Sequence, residues 1–180
     1  MRYDDQPGLG ETMRVRRRML VVGCALAVFL IVGSAVAASP NLPSLFASQI
    51  RAIHRDAAAP AVLLPTSMSL DGKKFFASGG PRGSGYDLSL GLAKNCGNAT
   101  ACFSADFIAT RGGAVYGTPV TVRGASKAGY RGISCGASCS PAQIDFVVHG
   151  VLYTIQANVL GNAKTTLIAA AQSAIAAGRR

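Results

Sequence analysis

Residues 144–155 read Ile-Asp-Phe-Val-Val-His-Gly-Val-Leu-Tyr-Thr-Ile, and this stretch decides the fold class. Ile144, Phe146 and Val148 recur at every second position, as do Val151, Tyr153 and Ile155, so each run carries one apolar face of strand period. His149-Gly150 between them has the length of a tight turn. The whole is a hairpin.

The same period extends outward. Tyr86, Leu88, Leu90 and Leu92 alternate with Asp87, Ser89 and Gly91, and Phe103, Ala105 and Phe107 alternate in the run that follows. Val120-Thr121-Val122 is a further short strand, and Ala61–Leu64, bounded by Pro60 and Pro65, reads as a short buried or edge strand. Downstream the period changes. Leu167, Ile168, Ala171 and Ile175 form a helical stripe over 163–177, with Asn162 as cap and Gly178 at the end. The expected fold is α+β: a mostly antiparallel sheet with the C-terminal helix on one face. Gly79–Gly85 reads as a mobile surface turn. It lacks the spacing of a phosphate-binding loop and is followed by a strand instead of a helix.

Upstream lies one uncharged run, Met19–Ala38 (MLVVGCALAVFLIVGSAVAA). As a helix it is about 30 Å long, the thickness of a bilayer core. Arg14, Arg16, Arg17 and Arg18 abut its start, whereas the first basic residue beyond it is Arg51. That asymmetry keeps the N-terminus cytoplasmic and exports the rest. The expected organisation is a basic cytoplasmic tail (1–18), a single transmembrane anchor or signal peptide (19–38), a linker with a short helix (39–60) and an exported α+β domain (61–180). Ser44 reads as the cap of that short helix, whose apolar side, Leu45, Ile50 and Ile53, has two places to rest: on the domain or at the membrane surface. The alternative to a single-pass anchor is secretion after cleavage near Ala37, since Ala35-Val36-Ala37 fits a small-residue cleavage site.

The runs AVLLP (61–65), GYDLSLGLAKNC (85–96) with a second Cys at 102, and LYTIQAN (152–158) before a helix containing AAAQSAI (169–175) resemble small exported bacterial proteins of unknown function. The C-terminal part also resembles an uncharacterised family found in anti-sigma and lipoprotein contexts. The resemblance covers about residues 61–177 and implies an exported α+β domain. It transfers no catalytic residue.

Four cysteines follow the anchor, in two close pairs: Cys96 with Cys102, and Cys135 with Cys139. Three connectivities are open. Proximity and turn-rich interiors favour local pairing, each closed loop being worth about 2 kcal/mol of chain entropy. A four-thiolate zinc site is the alternative; neither pair has CxxC spacing, and an exported chain meets an oxidising compartment. No metal or other cofactor is expected.

Catalytic patterns are sparse. Gly132-Ile133-Ser134-Cys135-Gly136 fits G-x-S-x-G, and Asp145 and His149 follow in hydrolase order, yet all three chemical groups fall within 16 positions that lead into a hairpin. A nucleophile elbow needs a strand before it, a helix after it and a parallel sheet behind it. Asp87 and Asp106 could meet across neighbouring strands, but no Glu follows Glu11. From Ser39 onward, 13 Lys and Arg less 5 Asp leave +8, which favours anionic partners. Lys73, Lys74 and Arg82, beside the glycine-rich stretch, are the candidate contacts.

The expectation is thus a non-catalytic, membrane-anchored exported domain that binds or organises an envelope component. A basic binder of anionic polymer, lipid headgroups or nucleic acid is the alternative, and a secreted enzyme of unrecognised type the second. The expected partners are the membrane and an anionic envelope polymer or another envelope protein, rather than nucleic acid.

Overall fold

In the computed structural model, which describes residues 39–96 and 99–180, the 144–155 hairpin lies inside a seven-stranded sheet. Its strands are Ala142–Val148 (β8) and Val151–Ala157 (β9). His149 at φ 50° and Gly150 at φ 75° put both turn residues in the left-handed region, as a two-residue turn between twisted strands requires.

The other strands are Phe76–Arg82 (β1), Gly85–Gly91 (β2), Phe103–Arg111 (β3), Thr118–Pro119 (β4) and Lys127–Arg131 (β5). The order is β1-β2-β3-β9-β8-β5-β4, with every pairing antiparallel. After β3 the chain crosses to the far edge and returns strand by strand to close against β3. Ser134–Cys135 (β6) and Cys139–Ser140 (β7) form a separate two-stranded ribbon. Pro81 and Pro119 sit on the two edge strands, where a missing N–H discourages further pairing.

The strand alternation sorts the core. Leu88, Phe107, Ile155 and Ile144 are registered across β2, β3, β9 and β8, and all four are buried. Tyr86, Ala109, Tyr153 and Phe146 form the next row on that face, with Phe146 stacked on Tyr153 at 5.6 Å. Helices Leu42–Leu45 (α1), Ala47–His54 (α2) and Ala163–Ala177 (α3) supply the covering residues. Phe46, at the α1–α2 joint, meets Phe107 edge-on at 5.8 Å. Asn162 caps α3 by accepting from the Thr165 amide at 3.0 Å.

Several expectations change. Of the two resting places open to the short helix of 39–60, the structure takes the domain: Leu42, Phe46 and Ile53 are buried in the core, so the segment is part of the domain instead of a linker to it. The glycine-rich stretch is ordered hairpin: Gly79 to Arg82 belong to β1, and Gly83-Ser84 is the turn. A Cβ on Gly79 would stand 2.0 Å from the Asp87 carbonyl oxygen, so glycine there permits close strand approach. Val120–Val122 lies just past β4 instead of forming it. The buried seam of α3 is Leu167, Ala170, Ala171 and Ala174, with Ile168 and Ile175 at its flanks. Met19–Ala38 and Arg14, Arg16, Arg17 and Arg18 lie outside the described residues; among those described, no helix is long and apolar enough to cross a membrane.

Residues 61–65 join no sheet, although Val62, Leu63 and Leu64 are buried. Tyrosines satisfy part of this backbone. The Tyr86 hydroxyl accepts from the Leu63 amide at 3.1 Å, and the Tyr153 hydroxyl donates to the Ala61 carbonyl at 3.0 Å. Burial raises both phenols above their ordinary pKa, so both remain neutral donors at physiological pH. Tyr86→Phe is expected to cost about 1–3 kcal/mol by stranding the buried Leu63 amide. The readouts are a lower urea midpoint at unchanged slope and faster hydrogen exchange at Leu63.

Candidate functional site

The antiparallel topology brings the loop between β2 and β3, the ribbon between β5 and β8, and the start of α3 to one end of the sheet. Each of the first two carries a disulfide: Cys96–Cys102 in the loop and Cys135–Cys139 in the ribbon. The four cysteines are therefore paired locally, and the four-thiolate zinc alternative is excluded for the chain in this state.

Between the loop and the ribbon, on the face opposite the helices, lies a cavity of about 490 Å³. Alternation built its floor. Ser78, Ser89, Asp106 and Gln156 are registered side by side across β1, β2, β3 and β9, at positions opposite in parity to the core residues. Ser89 Oγ donates to Asp106 Oδ1 at 2.6 Å. Phe76 and Phe103 add apolar lining, Lys94 and Thr100 come from the loop, and Ser138 and Ser140 from the ribbon.

Two local devices shape the cavity. Ser104 is an extra residue in β3, because Gly91 pairs with Phe103 while Leu90 pairs with Ala105. Such a bulge re-aims the side chains beside it. A Cβ on Gly91 would stand 2.7 Å from Cys96 Cβ, so glycine lets the disulfide loop rest on the sheet.

A second cavity of about 330 Å³ adjoins the first and shares Thr100 and Phe103 with it. Leu92, Ile133 and Leu160 line it, and these are three of the four large apolar side chains exposed among the described residues, Ile133 at 66%. Asp71 and Asn158 also line this second cavity, so it is mixed in character, and the two cavities meet at Thr100 and Phe103.

Burial raises the Asp106 carboxyl above its ordinary pKa; the Ser89 hydrogen bond opposes the shift and the nearby Asp87 charge adds to it. Asp87 itself pairs with Arg82 at 3.2 Å. Asp145 differs from both. It is 2% exposed, and its carboxylate accepts from Gln143 Nε2 at 2.6 Å, Thr154 Oγ1 at 2.8 Å and the Tyr116 amide at 3.1 Å. It fastens the loop before β4 onto the same sheet face.

The residues singled out from sequence fall as follows. Lys73 and Lys74 precede β1 at the cavity end, and Lys74 Nζ lies 5.2 Å from the Phe76 ring centroid. Arg82 ends β1, about 20 Å from Phe76 by strand rise, so the three cations do not converge. Ser134, Asp145 and His149 do not come together either: Ser134 is exposed on the ribbon, Asp145 is held under Tyr116, and His149 is in the turn at the opposite end of β8. Sequence reasoning missed Ser78, Ser89, Gln156, Lys94 and the two phenylalanines as a site. The available signal was the polar parity of β2, β3 and β9.

The chain matches no family model, no curated protein and no solved structure.

A raised Asp106 pKa has a definite sign. Its contribution to stability is present in full below the unfolded carboxylate value of about 3.9 and is lost as pH rises through the higher folded value. Asp106→Asn removes the charge and retains an acceptor for Ser89. The variant is expected to melt higher than the parent at pH 7, with the gap closing in acid. Parallel melting curves from pH 3 to 7 check this, and a variant less stable throughout that range contradicts it.

Proposed function

We propose that this protein is a non-catalytic exported domain, tethered to the membrane by Met19–Ala38, that binds or organises an envelope component through the cavity between its disulfide loops. One observation carries the reading: two cysteine loops remote in sequence line a single cavity. Its volume suits a small-molecule or polymer-segment site. The adjoining exposed apolar residues support the same reading, because contiguous apolar surface on a small domain marks contact sites. Two disulfides suit an oxidising compartment, and the arginines before the uncharged run suit a cytoplasmic N-terminus.

A second reading, a binder of anionic polymer or headgroups, draws support from charge. Among the described residues one ion pair, Arg82–Asp87, answers thirteen Lys and Arg, and Lys94 lines the cavity. Asp106 on the floor opposes an anion. Binding that weakens steeply with salt favours this second reading, because screening shortens electrostatic reach to about 8 Å at physiological ionic strength.

The test uses the full chain in native membranes. Intact mass after alkylation without reduction is expected to give a full-length membrane species with Cys96, Cys102, Cys135 and Cys139 unlabelled; a medium species beginning near Ala38 contradicts the tether. Crosslinking is then compared between the parent and Cys135→Ser/Cys139→Ser. That variant is expected to lose about 2 kcal/mol, remain folded, and capture much less envelope material. Equal capture by both removes the cavity from the proposal.

A further inference from the structure

We infer that the cavity and its neighbouring groove together take an amphiphile, with a neutral polyhydroxylated head over Ser89, Asp106 and Gln156 and an apolar tail along Leu92, Ile133 and Leu160. The inference rests on the envelope-binding reading above and names the ligand class for that same site.

The head chemistry follows from the floor. Ser78, Ser89, Asp106 and Gln156 stand on four successive strands, so at about 4.8 Å per strand the row spans about 14 Å. Hydroxyls donate and accept, a carboxylate accepts, and an amide does both. One ligand type answers all of them: a chain of hydroxyl groups. Asp106 Oδ1 is engaged by Ser89, while a carboxylate has further lone pairs to receive ligand O–H groups. Charge argues for a neutral head. Asp106 on the floor repels an anion, while Lys94 in the lining and the +8 balance after the anchor oppose a cation.

The tail chemistry follows from the groove. Leu92, Ile133 and Leu160 come from three separate connections yet line one depression, with Asp71 and Asn158 beside them, and this depression shares Phe103 and Thr100 with the first cavity. A free sugar leaves these side chains in water. A tail attached to the head covers them in the same binding event, and each buried methylene adds to affinity.

The test uses the full chain in native membranes and an alkyl maltoside carrying a diazirine in its tail, kept below its micellar concentration. Labelling of Met19–Ala38 measures nonspecific partition. Peptides holding Leu92, Ile133 and Leu160 are expected to be labelled well above that reference. Asp106→Ala is expected to cut groove labelling about tenfold, from the loss of a charged hydrogen bond, with the reference unchanged. Ile133→Ser, on a side chain too exposed to disturb folding, is expected to reduce it as well. A probe with the same tail and a sulfate or trimethylammonium head is expected to label only the reference. Equal groove labelling by all three heads overturns the inference, as does labelling confined to the reference. Either result leaves the envelope-binding reading to be judged by the crosslinking of the disulfide variant.

Discussion

The pairing of β3 with β9, from Ala105↔Ala157 to Arg111↔Val151, is the constraint on which the rest of the molecule depends. It joins the β1-β2-β3 meander to the strands that return from the opposite edge. Because side chains alternate at every residue, a slip of one position would set Phe107 opposite Thr154 or Gln156, so that one strand of the pair would turn its apolar set outward and its polar set into the core. The same register carries the Cys96–Cys102 loop and the Cys135–Cys139 ribbon to one end of the sheet. Core and cavity are the two faces of one pairing.

Those faces are built on different physics. The helix face buries large apolar rows under Phe46, Ile53 and Leu167, where area removed from water dominates. Among the described residues, none of α1, α2 and α3 covers the opposite face, which is held by hydrogen bonds. At one side Asp145 accepts from two sheet side chains and from the Tyr116 amide of the loop it fastens; at the other Asp106 has Ser89 and a cavity. Two aspartates on one sheet face thus have different roles, set by what covers each of them.

Much of the fold was legible where the chain signals locally. The 144–155 hairpin, the alternation of β2 and β3, the Asn162 cap and the local cysteine pairs all depend on residues within a few positions of one another. The misreadings share a cause. Gly79-Gly80-Pro81 has loop composition but is held as strand by pairing with β2. Ala61–Leu64 has strand composition, yet tyrosine hydroxyls and other distant groups meet its backbone where a neighbouring strand was expected. Residues 39–60 read as a linker with a helix whose apolar side had two resting places, and only the burial of Leu42, Phe46 and Ile53 chose the domain. In α3 the alanines that pack closest are those whose burial hydropathy signals least.

By itself the sequence determined the strand period of β2, β3, β8 and β9, the helical period of α3, the uncharged run Met19–Ala38 with its flanking arginines, the cationic balance and the close spacing of the cysteine pairs. These follow from periodicity, composition and spacing, which act over a few residues or over the whole chain. Only the tertiary structure decided that the two disulfides border one cavity, that Asp106 lines it while Asp145 does not, and that Leu92, Ile133 and Leu160 share a groove. Those facts depend on which strands become neighbours. That choice is set by long-range burial of apolar rows, and no local pattern records it.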